Sequence, residues 1–357
     1  MYTKKVFPVI GMAIWTRFES FIFLGIGIVF VILIEYLGLS WLKLPWAPIA
    51  IIGSAVAFVI GFQNNSAYDR IWEARKIWGG IVNISRTFGM FTQDMITNEH
   101  ATSKLTKTEL DHETKTLTYR HIAWMTALRH AMRQSKSWET SSSDRSNQRF
   151  IKLIGSPEMR SNLIDDLRPY LSKEDMDYVL SKDNKQTALL YLQSHHLKQL
   201  KEKGIIWEFS FLELENVLKE MFSFQGKSER IKNFPYPRQF ATLNHYFMWV
   251  FVLFLPLGII PQFAEMGHEM GHEMVVNFPI VGKYFIWLSV PICAIIAWVF
   301  HTMERIGRMG ENPFEGLMND VPISTIARGI EIDLRQNLGE NKEDIPDQFP
   351  VIWDTQM

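Results

Sequence analysis

The sequence predicts an all-α membrane protein, with four transmembrane helices per chain and a helical cytosolic domain. Three observations carry this. Charge is segregated: residues 1–62 and 241–303 hold only 10 of the 75 Asp, Glu, Lys and Arg side chains. Four windows are long enough to span a bilayer, which takes about 20 mostly apolar residues: 20–42, broken only by Glu35, and the uncharged runs 44–68, 239–264 and 284–303. Basic residues flank these windows on one side. Lys4, Lys5 and Arg17 precede the first, and Arg70, Arg75 and Lys76 follow the second. Lys232 and Arg238 precede the third, and Arg305 and Arg308 follow the fourth. The positive-inside rule then places both termini and the long middle segment in the cytoplasm. Four such windows are hard to hide from water in a soluble protein, the competing reading.

The overall balance excludes other classes. With 37 basic against 38 acidic residues, the 357-residue chain is no polybasic nucleic-acid binder and no acidic disordered chain. One cysteine, Cys293, allows neither an internal disulfide nor a thiolate zinc cluster. There is no glycine-rich phosphate loop or nucleophile elbow, and no cofactor is expected.

In chain order, residues 1–19 form a cytosolic N-terminal segment, without the cleavage site of a removed signal peptide. Residues 20–68 hold the first two spans. Residues 69–238 read as cytosolic helices over 69–91, 103–132, 165–178, 186–201 and 209–224. Their main break is SKSWETSSSDRSN at 135–147, expected to be a surface loop. Residues 239–303 hold the last two spans around a short outer loop, 265–282. Residues 304–357 return to the cytosol, with a turn at 312–314 and a helix over 322–337 that Asp320 is placed to cap. The stretch 339–357 has no period and is expected to wrap a neighbour or to be disordered.

The second span is the most informative. Ser54, Phe58 and Phe62, spaced i, i+4, i+8, stack on one helix face. Gly53 and Gly61 offer small surfaces to other helices. A polar run, Gln63, Asn64, Asn65, Ser66, follows without a loop. Rings passing into amides suit a pore wall, an apolar constriction opening into a wet vestibule. A lipid-facing or core stripe would share the spacing.

Residues 64–86 read NNSAYDRIWEARKIWGGIVNISR. Within them Arg70, Trp72, Glu73, Arg75, Trp78, Gly79, Asn83 and Arg86 resemble the signature that follows the pore helix in the bestrophin family of ion channels. RHIAWMTALRHAMR at 120–133, ERIKNFPYP at 229–237 and ENPF at 311–314, with Asp320 downstream, match further blocks in the family's order. The resemblance implies a homopentamer whose second helices surround one axial pore in a cell membrane, passing monovalent ions, chloride and other anions first. Its neck positions match Ser54, Phe58 and Phe62, with Ser54 departing from the family's apolar pattern. A cytosolic constriction is implied on the helix before ERIKN, where Phe211, Leu214 and Val217 stay open as choices. Calcium-gated members use an acidic run after the NPF turn. Here Asn312 and Asp320 match ligand positions, with Pro313 and Phe314 in the turn, but Leu317 replaces a carboxylate, so no tight calcium site is expected.

The outer loop holds a rival. A tandem GHEM repeat creates His268-Glu269-Met270-Gly271-His272, an HExxH match that on a helix would suit zinc, with Glu269 as base. The repeat itself generates the match, and no third ligand is evident on that side of the membrane. A membrane zinc protease is therefore the runner-up, and a non-conducting scaffold the third reading. Glu35 is expected to snorkel, His195 and His196 to be exposed, Arg70 and Glu73 to pair at i, i+3, and Trp72 and Trp78 to pack the cytosolic bundle.

Overall fold

The four apolar windows fold as long helices. The computed structural model describes the backbone of residues 1–273 and 284–357, with side chains for all of these except 142 and 270–273. No strand occurs among the described residues, only isolated bridges. By internal contacts the chain divides into two units, Lys5–Asp69 with Tyr236–Glu311, and Met1–Lys4 with Arg70–Pro235 and Asn312–Met357.

The first unit holds the apolar helices. After a short α1 (Val9–Trp15) comes α2 (Arg17–Val31), which runs on through a π turn, Ile32–Tyr36. Helix α3 (Trp46–Asp94) supplies residues 46–69 to this unit. At 1.5 Å per residue its 49 residues reach about 73 Å, far beyond a hydrocarbon core of about 30 Å. Among the described residues, four helices are long and apolar enough to cross a membrane: Arg17–Tyr36, Trp46–Asp94, Arg238–Glu269 and Phe285–Gly310. Phe23, Ile49, Val56, Ile60, Met248, Phe251 and Ala297 form one buried cluster. Gly53 behaves as expected: a Cβ there would lie 2.6 Å from the Phe251 ring. At Gly61 a Cβ would meet nothing of this chain within 4 Å.

The second unit is a bundle around Trp78, Phe88, Trp124, Leu128, Leu214, Leu218, Met221 and Phe314. In order it comprises residues 70–94 of α3, α4 (Lys107–Arg133), α5 (Thr140–Ser143), α6 (Arg145–Leu153), α7 (Leu163–Leu167), α8 (Lys173–Leu180), α9 (Lys185–Glu202) and α10 (Glu208–Asn233). Polar caps set several starts. Thr106 and Glu109 form a capping box on α4, and Asp144, Asn162, Ser172 and Asn184 cap α6 to α9. The first unit resumes with α11 (Arg238–Glu273) and α12 (Ser289–Gly310), and the second ends with α13 (Ile323–Asn337).

Several expectations need correcting. Helix α11 continues through Pro256 and Pro261 to Glu273, so the first half of the expected loop 265–282 is helical. Residues 274–283 lie outside the described part. The single helix expected over 165–178 is two, because Pro169 intervenes and Ser172 starts a new cap. The serine-rich stretch is no plain loop: it forms α5 and the start of α6, with Glu139 and Thr140 buried. The terminal stretch folds on its own unit. Met357 accepts from the Thr325 N–H at 2.6 Å, Gln348 donates to the Thr325 carbonyl at 3.1 Å, and Phe349 lies under Arg328.

Candidate pore site

Helix α3 carries the predicted neck. Its residues Ile49, Val56, Ile60 and Gln63 turn into the first unit and are buried. The opposite face is bare, with Phe58 67% and Phe62 57% exposed and Ser54 exposed on the same stripe. The two rings meet edge to face, centroids 4.5 Å apart and planes at 88°. Ser54 Oγ donates to the Ala50 carbonyl one turn back at 2.9 Å, so its proton is used within the helix.

The expected vestibule amides separate. Asn65 is exposed and continues the neck stripe, Asn64 is half-buried, and Gln63 is buried. Gln63 must therefore be removed from the vestibule; successive residues lie 100° apart on a helix, so it faces away from Phe62. Its Nε2 donates to Glu311 Oε1 at 3.0 Å, and its Oε1 accepts from Asn244 Nδ2 at 3.1 Å. Arg238 Nη2 completes the cluster on Glu311 Oε2 at 2.6 Å. A buried polar group left unpaired costs about 1–3 kcal/mol, so the network has one low-energy register. Sequence reading missed it, because Gln63 and Glu311 stand 248 residues apart with no pattern joining them.

The signature residues lie in the second unit, and their roles differ from expectation. Arg70 donates to the Ile231 and Phe234 carbonyls at 3.1 and 3.0 Å, fastening α3 to the end of α10, while Glu73 pairs with Arg230 at 2.5 Å. The expected Arg70–Glu73 bridge gives way because the α10 terminus offers Arg70 free carbonyls. Trp78 is fully buried beside Phe314, whereas Trp72 is 47% exposed. Gly79 is open, whereas a Cβ on Gly80 would come 2.3 Å from Phe224. Arg75 reaches Met1 Sδ, Asn83 is exposed, and Arg86 pairs with Asp333 of α13 at 2.7 Å. On α10, Leu214 and Val217 belong to the bundle core and Phe211 packs against it, while Phe209, Leu212 and Phe222 are exposed. His196 is also corrected: it is wedged between Glu113 and Arg120, each at 2.8 Å, while His195 is exposed.

The turn after α12 holds Asn312, Pro313 and Phe314, all buried. Asp320 does not cap α13. Its Oδ2 accepts from the Gly316 and Leu317 N–H groups at 2.6 and 3.0 Å, closing the turn on itself, with Arg133 Nη1 at 4.0 Å. These residues do not fit a calcium cage: Leu317 is buried and offers no side-chain oxygen, and the cation beside Asp320 is Arg133. Next to it Glu315 accepts from the Thr140 N–H and Oγ1 and the Ser141 N–H, at 2.8–3.0 Å. Burial, then Asp320 and Glu139, push the Glu315 carboxyl up to about 8. Burial also raises Asp320, to about 6, against the pull of Arg133.

A carboxyl raised on folding lends stability that is full below its unfolded value and is lost as pH rises through its folded value. The protein's unfolding temperature should thus fall between pH 5 and about 9, and Glu315→Gln should flatten that decline. Thermal unfolding in detergent across that range checks it; an unchanged slope in the variant would contradict it.

His268 and Glu269 are exposed on the last turns of α11, and the His272 side chain lies outside the described residues. Among the described residues, no three His, Cys, Asp or Glu side chains gather as a metal ion requires.

The sequence profile of the family described as bacterial/fungal bestrophin protein matches residues 9–270 and 272–336. The voltage-dependent anion channel-forming protein YneE of Salmonella typhi is 23% identical over 321 residues, 90% of this chain and 85% of that protein. Another protein so named, RSc3414 of Ralstonia nicotianae, is 25% identical over 84% of this chain and 79% of its own length. A crystal structure of a bacterial bestrophin homolog from Klebsiella pneumoniae superposes with a TM-score of 0.67 at 21% identity, covering 91% of this chain and 99% of that one.

Proposed function

Because the chain belongs to the bacterial and fungal bestrophin family, we propose that it is a channel for monovalent anions, chloride among them, with α3 helices from five identical chains around one axial pore. The observation that carries this is the bare α3 stripe. Two large rings stand more than half exposed between a serine and an asparagine, on a helix whose other face is packed. Lipid suits the rings but not the amide of Asn65; a pore suits both. Relatives of similar length that are named for anion channel formation support the ion class.

Ring geometry adds a reason for anions. Phe58 and Phe62 stand at 88°, so at most one can turn its face squarely to a pore axis. The other presents its edge, where the partial charge is positive. Five chains would supply at least five such edges, and weakly hydrated anions that shed part of their water there would be favoured. The same proposal puts residues 1–19, 69–238 and 304–357 in the cytoplasm, and residues 20–68 and 239–303 in the cell membrane with the intervening loop outside. Basic flanks support that orientation. No observation favours the zinc-protease reading.

Single-channel recording in asymmetric KCl tests the proposal. The reversal potential should lie close to the chloride equilibrium potential. A reversal near the potassium potential would overturn the anion assignment, and absence of conductance would leave the scaffold as the better reading.

A further inference from the structure

We propose that Gln63 is a positioning residue for the pore neck, with Glu311, Arg238 and Asn244 as its clasp, and that the clasp sets the neck's permeability by fixing the rotation of α3. The proposal rests on the channel reading above and adds a residue that does not line the pore.

The geometry is specific. Gln63 follows Phe62 directly, and its side chain leaves the helix about 100° further round. It is 1% exposed, and so is Glu311. Gln63 is held at both ends of its amide: the nitrogen gives to Glu311 at 3.0 Å and the oxygen takes from Asn244 at 3.1 Å. Glu311 is itself held from the other side by Arg238 at 2.6 Å. The clasp joins three places in the chain, the start of α11 (Arg238, Asn244), the residue after α12 (Glu311) and α3 with Gln63. Hydrogen bonds weaken steeply once their angles open, so α3 cannot roll about its axis without breaking both contacts. Roll is the motion that would move the Phe58 and Phe62 rings in or out together. Close packing of Gly53, Val56 and Ile60 also resists roll, and the amide adds directional contacts to it. The amide gives the helix an angular stop.

The test uses the full chain reconstituted in liposomes, with wild type, Gln63→Leu, Gln63→Glu, Glu311→Gln and the double variant Q63E/E311Q. Gln63→Leu keeps the bulk and removes both hydrogen bonds. It should change the iodide-to-chloride permeability ratio several-fold and broaden the single-channel conductance distribution. Gln63→Glu sets two carboxylates face to face and should do the same. The double variant exchanges amide and carboxylate, so a donor again meets an acceptor, and it should return both readouts towards wild type. A conducting wild type matched by Gln63→Leu in ratio and conductance sinks the clasp alone. So does a double variant whose defect is the sum of the two single defects, as a merely structural role would give. If Gln63→Leu fails to assemble, the double variant, which retains the bonding pattern, decides by its rescue or lack of it. A wild type that does not conduct sinks the channel reading and the clasp with it.

Discussion

Replacing Phe58 and Phe62 together with alanine should raise the single-channel conductance several-fold and move the reversal potential in asymmetric KCl away from the chloride value. The rings are 67% and 57% exposed within the chain, so most of their surface has no packing partner in it. Truncating a core Phe typically costs about 3–5 kcal/mol; these two should cost much less. The double variant should therefore assemble and unfold near the wild-type temperature, which lets conductance be read without a folding defect. On the channel reading proposed above, the rings form the apolar constriction. Removing ten of them from five chains removes both the constriction and the positive ring edges. A conductance and reversal potential equal to wild type would show that ions do not pass this face of α3. Ser54→Ala should by contrast change little, because the Ser54 proton is already given to Ala50.

The contrast between those residues shows what the sequence could reveal. Phe58 and Phe62 are legible because one helix with one period places them, and no partner has to be known. The four apolar windows are legible for the same reason, since span length is a property of a contiguous segment. Gln63 reads as a vestibule amide because polarity on a pore helix suggests water. Only the folded chain shows that Asn244 and Glu311 replace that water. Asp320 reads as a cap by its distance from a helix start, yet the two N–H groups it takes are those of Gly316 and Leu317, which precede it. Arg70 likewise has an acidic neighbour in sequence and carbonyl partners in space. Local rules placed the elements; long-range polar pairing decided which charges were structural. The terminal stretch was opaque because it has no period of its own and its contacts, such as Thr3 with Asp354 and Thr325 of α13 with Met357, join segments far apart or of different kinds in the sequence.

Glu158→Ala should be among the most destabilising single changes in the second unit. Glu158 sits in a one-turn 3-10 helix, Pro157–Met159, with its side chain 1% exposed. One of its oxygens takes a hydrogen bond from Arg129; the other accepts from Ser324 Oγ at 2.9 Å and lies 3.8 Å from Arg133 Nε. Both arginines are buried, with side chains 6% and 2% exposed. Arg129 has a second carboxylate, Asp166, at 3.2 Å, whereas Asp320 reaches Arg133 only at 4.0 Å. Loss of Glu158 therefore leaves a largely uncompensated buried cation, and breaking such a pair typically costs about 3–5 kcal/mol. Glu158→Gln keeps the shape and a hydrogen-bond acceptor but not the charge, and should fall between. Acid separates charge from shape. Burial opposes ionisation of Glu158, but the two arginines win and hold its carboxyl down at about 2. A carboxyl lowered on folding lends stability that is full above its unfolded value, near 4.5, and is lost as pH falls through about 2. The gap between wild type and Glu158→Gln should accordingly be constant above pH 5 and close below pH 4. Thermal unfolding in detergent at both ends of that range measures it. A gap that persists unchanged into acid would mean that Glu158 acts through packing and the Ser324 bond, and that its charge contributes nothing to holding Arg129 and Arg133 in place.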